Sequence, residues 1–315
     1  MNLRRLKYFV KIVDIGSLTQ ASEVLHIAQP ALSQQIATLE GEFNEQLLVR
    51  TAKGVRPTEA GKTLYKHAQL ILKQFEQARV EVRNASRAVA GKVSVGLAPG
   101  TAAAGLALPL LRTIRARFPQ VLLHLNENFG TTLTDLIADG RMDMAVLYGT
   151  RPVPGLAFLP LLYEDFVLVG PARPGEETDA VTLAQAAAKP LLMLRPHNVV
   201  RRIIDEAFMR AKVVPEVIAE LESTASLVDS VASGLGAAIL PASAAQLVGK
   251  ASSAQLWRIC DPIDKIALAL CTSDRVAPSP AAAAVKSVLL ELAQDLAVSI
   301  GATQSPELEA GWASP

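Results

Sequence analysis

The sequence predicts an α/β protein in three parts: an N-terminal winged helix-turn-helix, a long linker helix, and a C-terminal domain of two α/β lobes. Three observations predict it. Residues 17–40 hold two short helical patterns around a tight turn, followed by a turn-centred basic stretch. Residues 64–89 carry an unbroken 4-3 apolar repeat. From residue 92 onward, short all-apolar runs alternate with helical patterns, the mark of parallel sheets covered on both faces. The expected boundaries are 1–58 for the winged helix-turn-helix, 59–91 for the linker and dimerisation helix, 92–300 for the two-lobed domain and 301–315 for a mobile tail. Lobe I is placed at about 92–165 with 266–300, and lobe II at about 166–265.

Residues 3–14 read as a first helix with Leu3, Leu6, Phe9, Val10 and Val13 as its apolar stripe. Ser17 then stands as an N-cap, and Gln20 three residues on completes a capping box. His26, Ile27 and Ala28 form a turn. Pro30 opens a second helix, where its fixed φ and missing N–H do no harm. Leu32, Ile36 and Leu39 give that helix one buried stripe, while Pro30, Gln34, Ala37 and Thr38, flanked by Ser33 and Gln35, form a small, polar, uncharged opposite face. Such a face admits close approach to base edges, and amides hydrogen-bond them in pairs. Any helical hairpin in a bundle also has a polar face; the flanking stretches favour double-stranded DNA as the partner. Gln46–Thr58 reads as two extended pieces about a turn at Lys53-Gly54, with Arg50, Lys53 and Arg56 placed to meet phosphates.

Thr58 caps a long helix in which Leu64, Ala68, Ile71, Phe75, Ala78, Val82, Ala85 and Val89 recur with spacing 4-3-4-3-4-3-4, bounded by Gly91. A helix this polar outside its seam must bury the seam against something. The expected partner is a second copy, giving a dimer or tetramer; the alternative is packing onto the chain's own C-terminal part.

Charge divides along the same line. The first 92 residues carry 14 Lys/Arg and 8 Asp/Glu, a net of +6, which leaves 17 basic and 22 acidic residues beyond them, a net of −5. Two cysteines, Cys260 and Cys271, make neither a disulfide framework nor a metal-ligand spacing; both fall in segments that read as buried strands, with a redox switch as the alternative. No signal-peptide run and no membrane-length apolar run are evident, so a cytoplasmic protein away from membranes is expected.

In the C-terminal part, strands are expected at Val93–Ala98, Val121–Asn128, Met142–Tyr148, Leu156–Gly170, Leu191–Leu194, Val217–Leu221, Ala237–Leu240, Leu256–Asp261 and Ile266–Cys271. Helices fall at Thr101–Arg117, after Thr131, at Val199–Lys212, Thr224–Ser233 and about Pro280–Ile300. Two-lobed α/β domains bind ligands in the crevice at strand carboxyl ends near helix N-termini. The candidates there are Gly100 and Thr101, Thr131, Tyr148, His197 and Asn198, and Ser223 and Thr224, which suit a small anion or carboxylate effector; each also serves as a cap or turn residue.

An enzyme is the rival class. The four histidines are scattered without metal spacing, and there is neither a G-x-S-x-G elbow nor a P-loop. Gly234-Leu235-Gly236 sits at a helix-to-strand turn, the wrong place for a dinucleotide fingerprint. No metal, cofactor or catalytic residue is expected.

With these residues in view, LRRLKYFVKIVDIGSLTQASEVLHIAQPALSQQIATLE and LLVRTAKGVRPTEAG resemble the DNA-binding domain of LysR-type transcriptional regulators. GKVSVGLAPG, DGRMDMAVLYG and SVASGLGAAILP resemble that family's effector-binding domain, whose fold is that of type 2 periplasmic binding proteins. The resemblance covers essentially 1–300. It implies a regulator of transcription, working with RNA polymerase, in which an effector in the cleft shifts lobe closure or subunit arrangement; control without any effector stays open. It implies that Gln29, Pro30, Ser33 and Gln34 approach bases. Thr19, Arg50 and Lys53 would meet phosphate or the minor groove, with Ser17 at the helix start. Many members have arginine where this chain has Gln34, and an amide there prefers adenine to guanine. Ser22 and Asn44 stand where alanine and glycine are commoner, as packing and turn changes.

Overall fold

The computed structural model describes residues 2–51, 54–83, 89–98, 105–149, 151–171, 178–196, 198–252 and 254–304. They form two compact units, the first essentially residues 1–87 and the second the remainder.

In the first unit, α1 (Leu3–Ile15) starts at Asn2, whose side chain accepts from the Arg4 amide at 2.9 Å, and stops at Gly16 in the left-handed conformation. Next, α2 (Leu18–Leu25) is capped by Ser17, which accepts from the Gln20 amide; the Gln20 side chain is exposed and closes no reciprocal bond among the described residues. Both α2 and α3 (Gln29–Phe43) end on left-handed residues, His26 at φ 54° and Asn44 at φ 51°. Asn tolerates that conformation because its short polar side chain bonds locally, so Asn44 does the work of a glycine. Ser22 is buried and donates to the Thr19 carbonyl at 2.7 Å.

The antiparallel wing, β1 (Leu48–Thr51) with β2 (Gly54–Pro57), precedes α4 (Glu59–Arg83). Thr58 caps α4 by accepting from the Gly61 amide at 2.9 Å and donates to the Gln46 carbonyl at 2.7 Å. Leu6, Phe9, Ile12, Ala21, Leu32 and Leu39 form the core of this unit. Leu64 and Ala68 of α4 belong to that core, and Ile71 packs on it. This corrects the assignment of the whole seam to a second copy: the first turns of α4 are covered by α1 of the same chain, which stands directly against them. Phe75, Ala78 and Val82 are exposed on the free part of the helix. The seam's end also moves. Gly91 is the first residue of a strand, and Ala85 lies outside the described residues. Tyr65 donates to Asp14; burial and this bond raise its hydroxyl to about 12.

The second unit holds two sheets. The larger has strand order β14-β6-β13-β5-β3-β4, built from β3 (Gly91–Leu97), β4 (Val121–Glu127), β5 (Met144–Tyr148), β6 (Leu156–Glu164), β13 (Ile266–Ser273) and β14 (Thr303–Gln304). Helices α5 (Ala107–Arg117), α6 (Gly130–Ala138) and α11 (Pro280–Ile300) accompany it. The smaller has order β11-β7-β12-β8, from β7 (Phe166–Gly170), β8 (Ala180–Val181), β11 (Ala238–Pro241) and β12 (Gln255–Ile259). Beside it, β9 (Leu191–Met193) pairs in parallel with β10 (Val217–Glu220) and bridges Ala237. Helices α7 (Leu183–Ala187), α8 (Val199–Ala211), α9 (Thr224–Ala232) and α10 (Ala242–Ser252) complete this half.

Five expectations change. Both sheets are mixed: in the larger, β6 and β13, which carry the chain out and back, run antiparallel to their neighbours, and in the smaller, β7 runs antiparallel to β11 and β12. All-apolar runs report burial on both faces, not strand direction; six successive residues of β13 are buried. The extended stretch 156–170 is broken at Asp165, where the chain changes sheets. The helix expected from Thr101 begins at Ala107, and residues 101–104 lie outside the described ones. Residues 301–304, expected to be mobile, include β14, which pairs with Leu162 and Tyr163. Cys271 is buried in β13, whereas Cys260 is exposed just past β12 and not in a strand.

Two predictions follow from this packing. A Cβ on Gly61 would lie 2.0 Å from the Leu47 carbonyl oxygen, while one on Gly41, within α3, meets nothing within 4 Å. Gly61→Ala is expected to lower stability by about 2–4 kcal/mol and Gly41→Ala to raise it by about 0.5–1 kcal/mol, read by thermal or denaturant unfolding. Burial raises the Cys271 thiol to about 12, so it stays a thiol near neutral pH and is inert. In native protein, iodoacetamide is expected to alkylate Cys260 and spare Cys271; equal labelling contradicts the packing.

Candidate nucleic-acid interface and effector crevice

The polar face of α3 is built by subtraction. Leu32, Ile36 and Leu39 are buried, which turns Gln29, Pro30, Gln34 and Ala37 to solvent, with Ser33 and Thr38 half-exposed. Two glutamines are adjacent, and the structure separates their roles. Gln35 accepts from Arg5 Nε at 3.0 Å, and Arg5 also pairs with Glu42, so this amide ties α3 to α1. Gln34 is exposed, and its side-chain amide makes no bond among the described residues. Thr38 donates to the Gln34 carbonyl at 2.9 Å, which leaves its hydroxyl oxygen for an outside donor. Ala28 caps α3 without a side-chain bond, and Pro30 in the first turn has no N–H to leave unpaired. Thr19 is exposed at the start of α2, while Ser17, half-buried, is engaged as its cap.

The wing is fixed to this face. Val55 donates to the Gly16 carbonyl at 2.8 Å, joining β2 to the α1–α2 turn. A Cβ on Gly54 would lie 2.4 Å from the Gly16 oxygen, and its φ is 120°, so glycine is required on both counts. Glu40 accepts from the Leu47 amide at 2.8 Å and the Leu48 amide at 3.1 Å, joining the end of α3 to β1. Arg50 reaches back across the interface and donates to Ser33 Oγ at 3.1 Å. Its cation therefore sits beside the polar face of α3. The Glu40 bonds and the Arg50–Ser33 bond were not anticipated, although Arg50 was expected at phosphate, since they join residues 7 to 17 positions apart across a turn. Lys53 lies outside the described residues. On the exposed part of α4, Arg79 lies over the Phe75 ring at 6.0 Å.

In the second unit a crevice of about 310 Å³ opens at the carboxyl ends of β5 and β11. Of the expected residues, Thr131, Tyr148, Asn198 and Ser223 line it. Gly100, Thr101 and His197 lie outside the described residues, and so does the side chain of Thr224, whose backbone begins α9. Three helix starts meet there. Thr131 stands in the first turn of α6; Asn198 caps α8 by accepting from Val200 at 2.9 Å; Ser223 caps α9 by accepting from Ser226 at 3.3 Å. Arg151 and Arg202 also line the crevice, and neither has an ion-pair partner among the described residues. Neither was anticipated, because a lone arginine in a loop or a first helical turn carries no motif.

Neighbouring groups hold the crevice in place. Arg201 is largely buried, donates to the Leu194 carbonyl at 2.7 Å and pairs with Asp205 and Glu220, which fixes the start of α8 over β9 and β10. At the strand switch, buried Glu164 accepts from the amide and hydroxyl of Ser243 at the start of α10, a favourable place for a carboxylate. Lys265 pairs with Asp165 at 3.0 Å, linking the outgoing and returning chain segments. Among the described residues no three His, Cys, Asp or Glu side chains are grouped to hold a metal, and no helix is long and apolar enough to cross a membrane.

Comparison with known proteins agrees with this division. Residues 3–62 match the bacterial regulatory helix-turn-helix protein family of LysR, and residues 86–294 match the LysR substrate binding domain. The nitrogen assimilation regulatory protein nac of Klebsiella aerogenes is 51% identical over 93% of this chain and 95% of its own. Its Escherichia coli K12 counterpart is 49% identical over the same shares. The HTH-type transcriptional regulator BsdA of Bacillus subtilis is 33% identical over 76% of this chain and 84% of its own. Among solved structures, a full-length OxyR variant from Pseudomonas aeruginosa superposes with a TM-score of 0.73 at 24% identity, covering 97% of this chain and 98% of that one. Full-length CbnR in complex with its target DNA gives 0.66 at 21% identity, covering 94% and 100%. The chain belongs to the LysR family of transcriptional regulators.

Proposed function

We propose that this regulator acts in nitrogen-assimilation gene control, binding a dyad-symmetric DNA site as a homodimer or homotetramer in the cytoplasm and working with RNA polymerase. The observation that carries the pathway is the 51% identity to the Klebsiella aerogenes nitrogen assimilation regulator across nearly the full length of both chains. Gln29, Pro30, Ser33, Gln34 and Thr38 face the base edges of the major groove, while Thr19, Arg50 and Lys53 meet the backbone or the adjacent minor groove. The exposure of the α3 face and the position of Arg50 beside Ser33 support this reading. Self-association is supported by Phe75, Ala78 and Val82, which lie exposed along α4. The protein acts without catalysing a reaction. Its crevice receives a small molecule that biases the arrangement of the regulator on DNA. Genome-wide footprinting of the bound protein tests the pathway: sites upstream of nitrogen-assimilation genes are expected, and their absence overturns it.

Two predictions address the residues. Gln34→Ala is expected to lose about 1–3 kcal/mol of discrimination at one base pair in each half-site. Arg50→Ala and Lys53→Ala are instead expected to weaken binding to all sequences and to lower the salt slope by about one unit each. Fluorescence anisotropy on matched and mutated duplexes reads both. Phe75→Lys with Val82→Lys is expected to reduce the protein to smaller assemblies in sedimentation while leaving its helical signal intact; an unchanged sedimentation coefficient removes the seam from the interface.

A further inference from the structure

The bond between Arg5 and Gln35 fixes which way one amide on α3 points. We propose that Gln35 donates to a DNA phosphate at the wall of the major groove, with Arg5 as its positioning residue. The proposal rests on the reading of α3 as the helix that enters that groove.

Hydrogen-bond polarity comes first. Gln35 Oε1 accepts from Arg5 Nε at 3.0 Å. A guanidinium nitrogen only donates, so the amide atom facing it must be the oxygen and not the nitrogen. The amide is planar, which turns its NH2 group away from Arg5. That group makes no bond among the described residues. Arg5 is itself held: it pairs with Glu42, two turns further along α3, and the two side chains are largely covered, at 24% and 28% exposure. Gln35 is half-buried beside them. It therefore carries donors of fixed direction. Exposed Gln34, with neither end of its amide taken, offers a donor and an acceptor together.

Position comes next. An α-helix with its side chains is about 10–12 Å across, and the major groove of B-DNA is about 12 Å wide. A helix lying in that groove meets base edges along its outward face and the phosphate backbones along its flanks. Gln29, Pro30, Gln34 and Ala37 form the outward face of α3. Gln35 stands about 100° round the helix from Gln34, on the flank tied to α1. An adenine edge asks for a donor and an acceptor together. A phosphate oxygen asks only for a donor, and its charge strengthens the bond. The polarity that Arg5 imposes suits the phosphate and mismatches adenine. The Arg5 charge is already paired with Glu42, so the group presented to the backbone is the neutral amide.

The experiment uses the full chain and duplexes carrying its bound half-site, with each phosphate replaced in turn by a neutral methylphosphonate and affinity read by anisotropy. At one phosphate per half-site the wild-type protein is expected to lose roughly tenfold on replacement, and Gln35→Met to lose nothing. Gln35→Glu still accepts from Arg5 but has no donor, and is expected to be equally insensitive there. Should Gln35→Met fail to fold, Gln35→Glu, which keeps the tie to α1, decides the matter. Arg5→Met is expected to shrink the penalty at the same phosphate, and Arg5→Lys to recover part of it. Gln35 is uncharged, so Gln35→Met is expected to keep the wild-type salt slope. A purely structural tie lowers binding to every duplex by the same factor, so equal losses in wild type and variants at every phosphate overturn the proposal. A penalty removed by Arg5→Met but kept by Gln35→Met assigns the contact to the guanidinium and also overturns it. So does coupling of Gln35 to a 7-deazaguanine in place of any phosphate, which assigns it to a base edge. Absence of sequence-specific DNA binding in the wild-type protein instead overturns the reading of α3 on which the proposal rests.

Discussion

The Glu40 carboxylate holds the DNA reader together. Its two backbone bonds, to Leu47 and Leu48, connect the last turns of α3 to the first strand of the wing. A helix and a hairpin separated by a short loop have no intrinsic fixed angle. A carboxylate accepting two backbone N–H groups supplies one, at about 1.5–3 kcal/mol per charged bond. The Val55 bond to Gly16 and the glycine at 54 hold the other side of the hairpin. Arg50 then lies beside Ser33 on the face of α3. The exposed amide of Gln34 and the Arg50 cation are thus presented on one surface, and the proposed DNA-binding role of residues scattered from 17 to 50 depends on that rigidity.

The same economy is seen in α4. Its first turns complete the core through Leu64 and Ala68, and its later turns leave Phe75 and Val82 exposed. One apolar stripe is therefore buried in the core of the first unit along its first turns and left exposed along its later ones. In the second unit, burial is arranged the other way round. The apolar runs of β3, β5 and β13 are consumed by covering helices, and the polar chemistry is pushed to strand ends, where helix starts and arginines collect around the crevice.

Much of this was legible in the sequence wherever the signal was local. Caps at Ser17, Thr58, Asn198 and Ser223 and apolar stripes follow from neighbours within one helical turn, and the helix-turn-helix and most strands came out near their places. Non-local choices were not legible. Spacing 4-3 identifies a buried stripe but not its partner, so Leu64 and Phe75 look alike until α1 is in place. Apolarity identifies a covered strand but not its direction, so β6 and β13 read as parallel. Thr303 and Gln304 lack any pattern and acquire a strand only because β6 offers an edge. The crevice residues were readable where they doubled as caps and invisible where they were lone arginines.

The central claim is that an uncharged amide on α3, Gln34, reads a base edge in the major groove. The most direct measurement places 7-deazaadenine at each adenine of the bound half-site, one at a time. An amide bonded to adenine N6 and N7 loses one of its two bonds when N7 becomes carbon. Binding of the wild-type protein is expected to fall about tenfold at one position per half-site, and Gln34→Ala is expected to be insensitive at that position. No sensitive adenine, or the same loss in Gln34→Ala, contradicts the account.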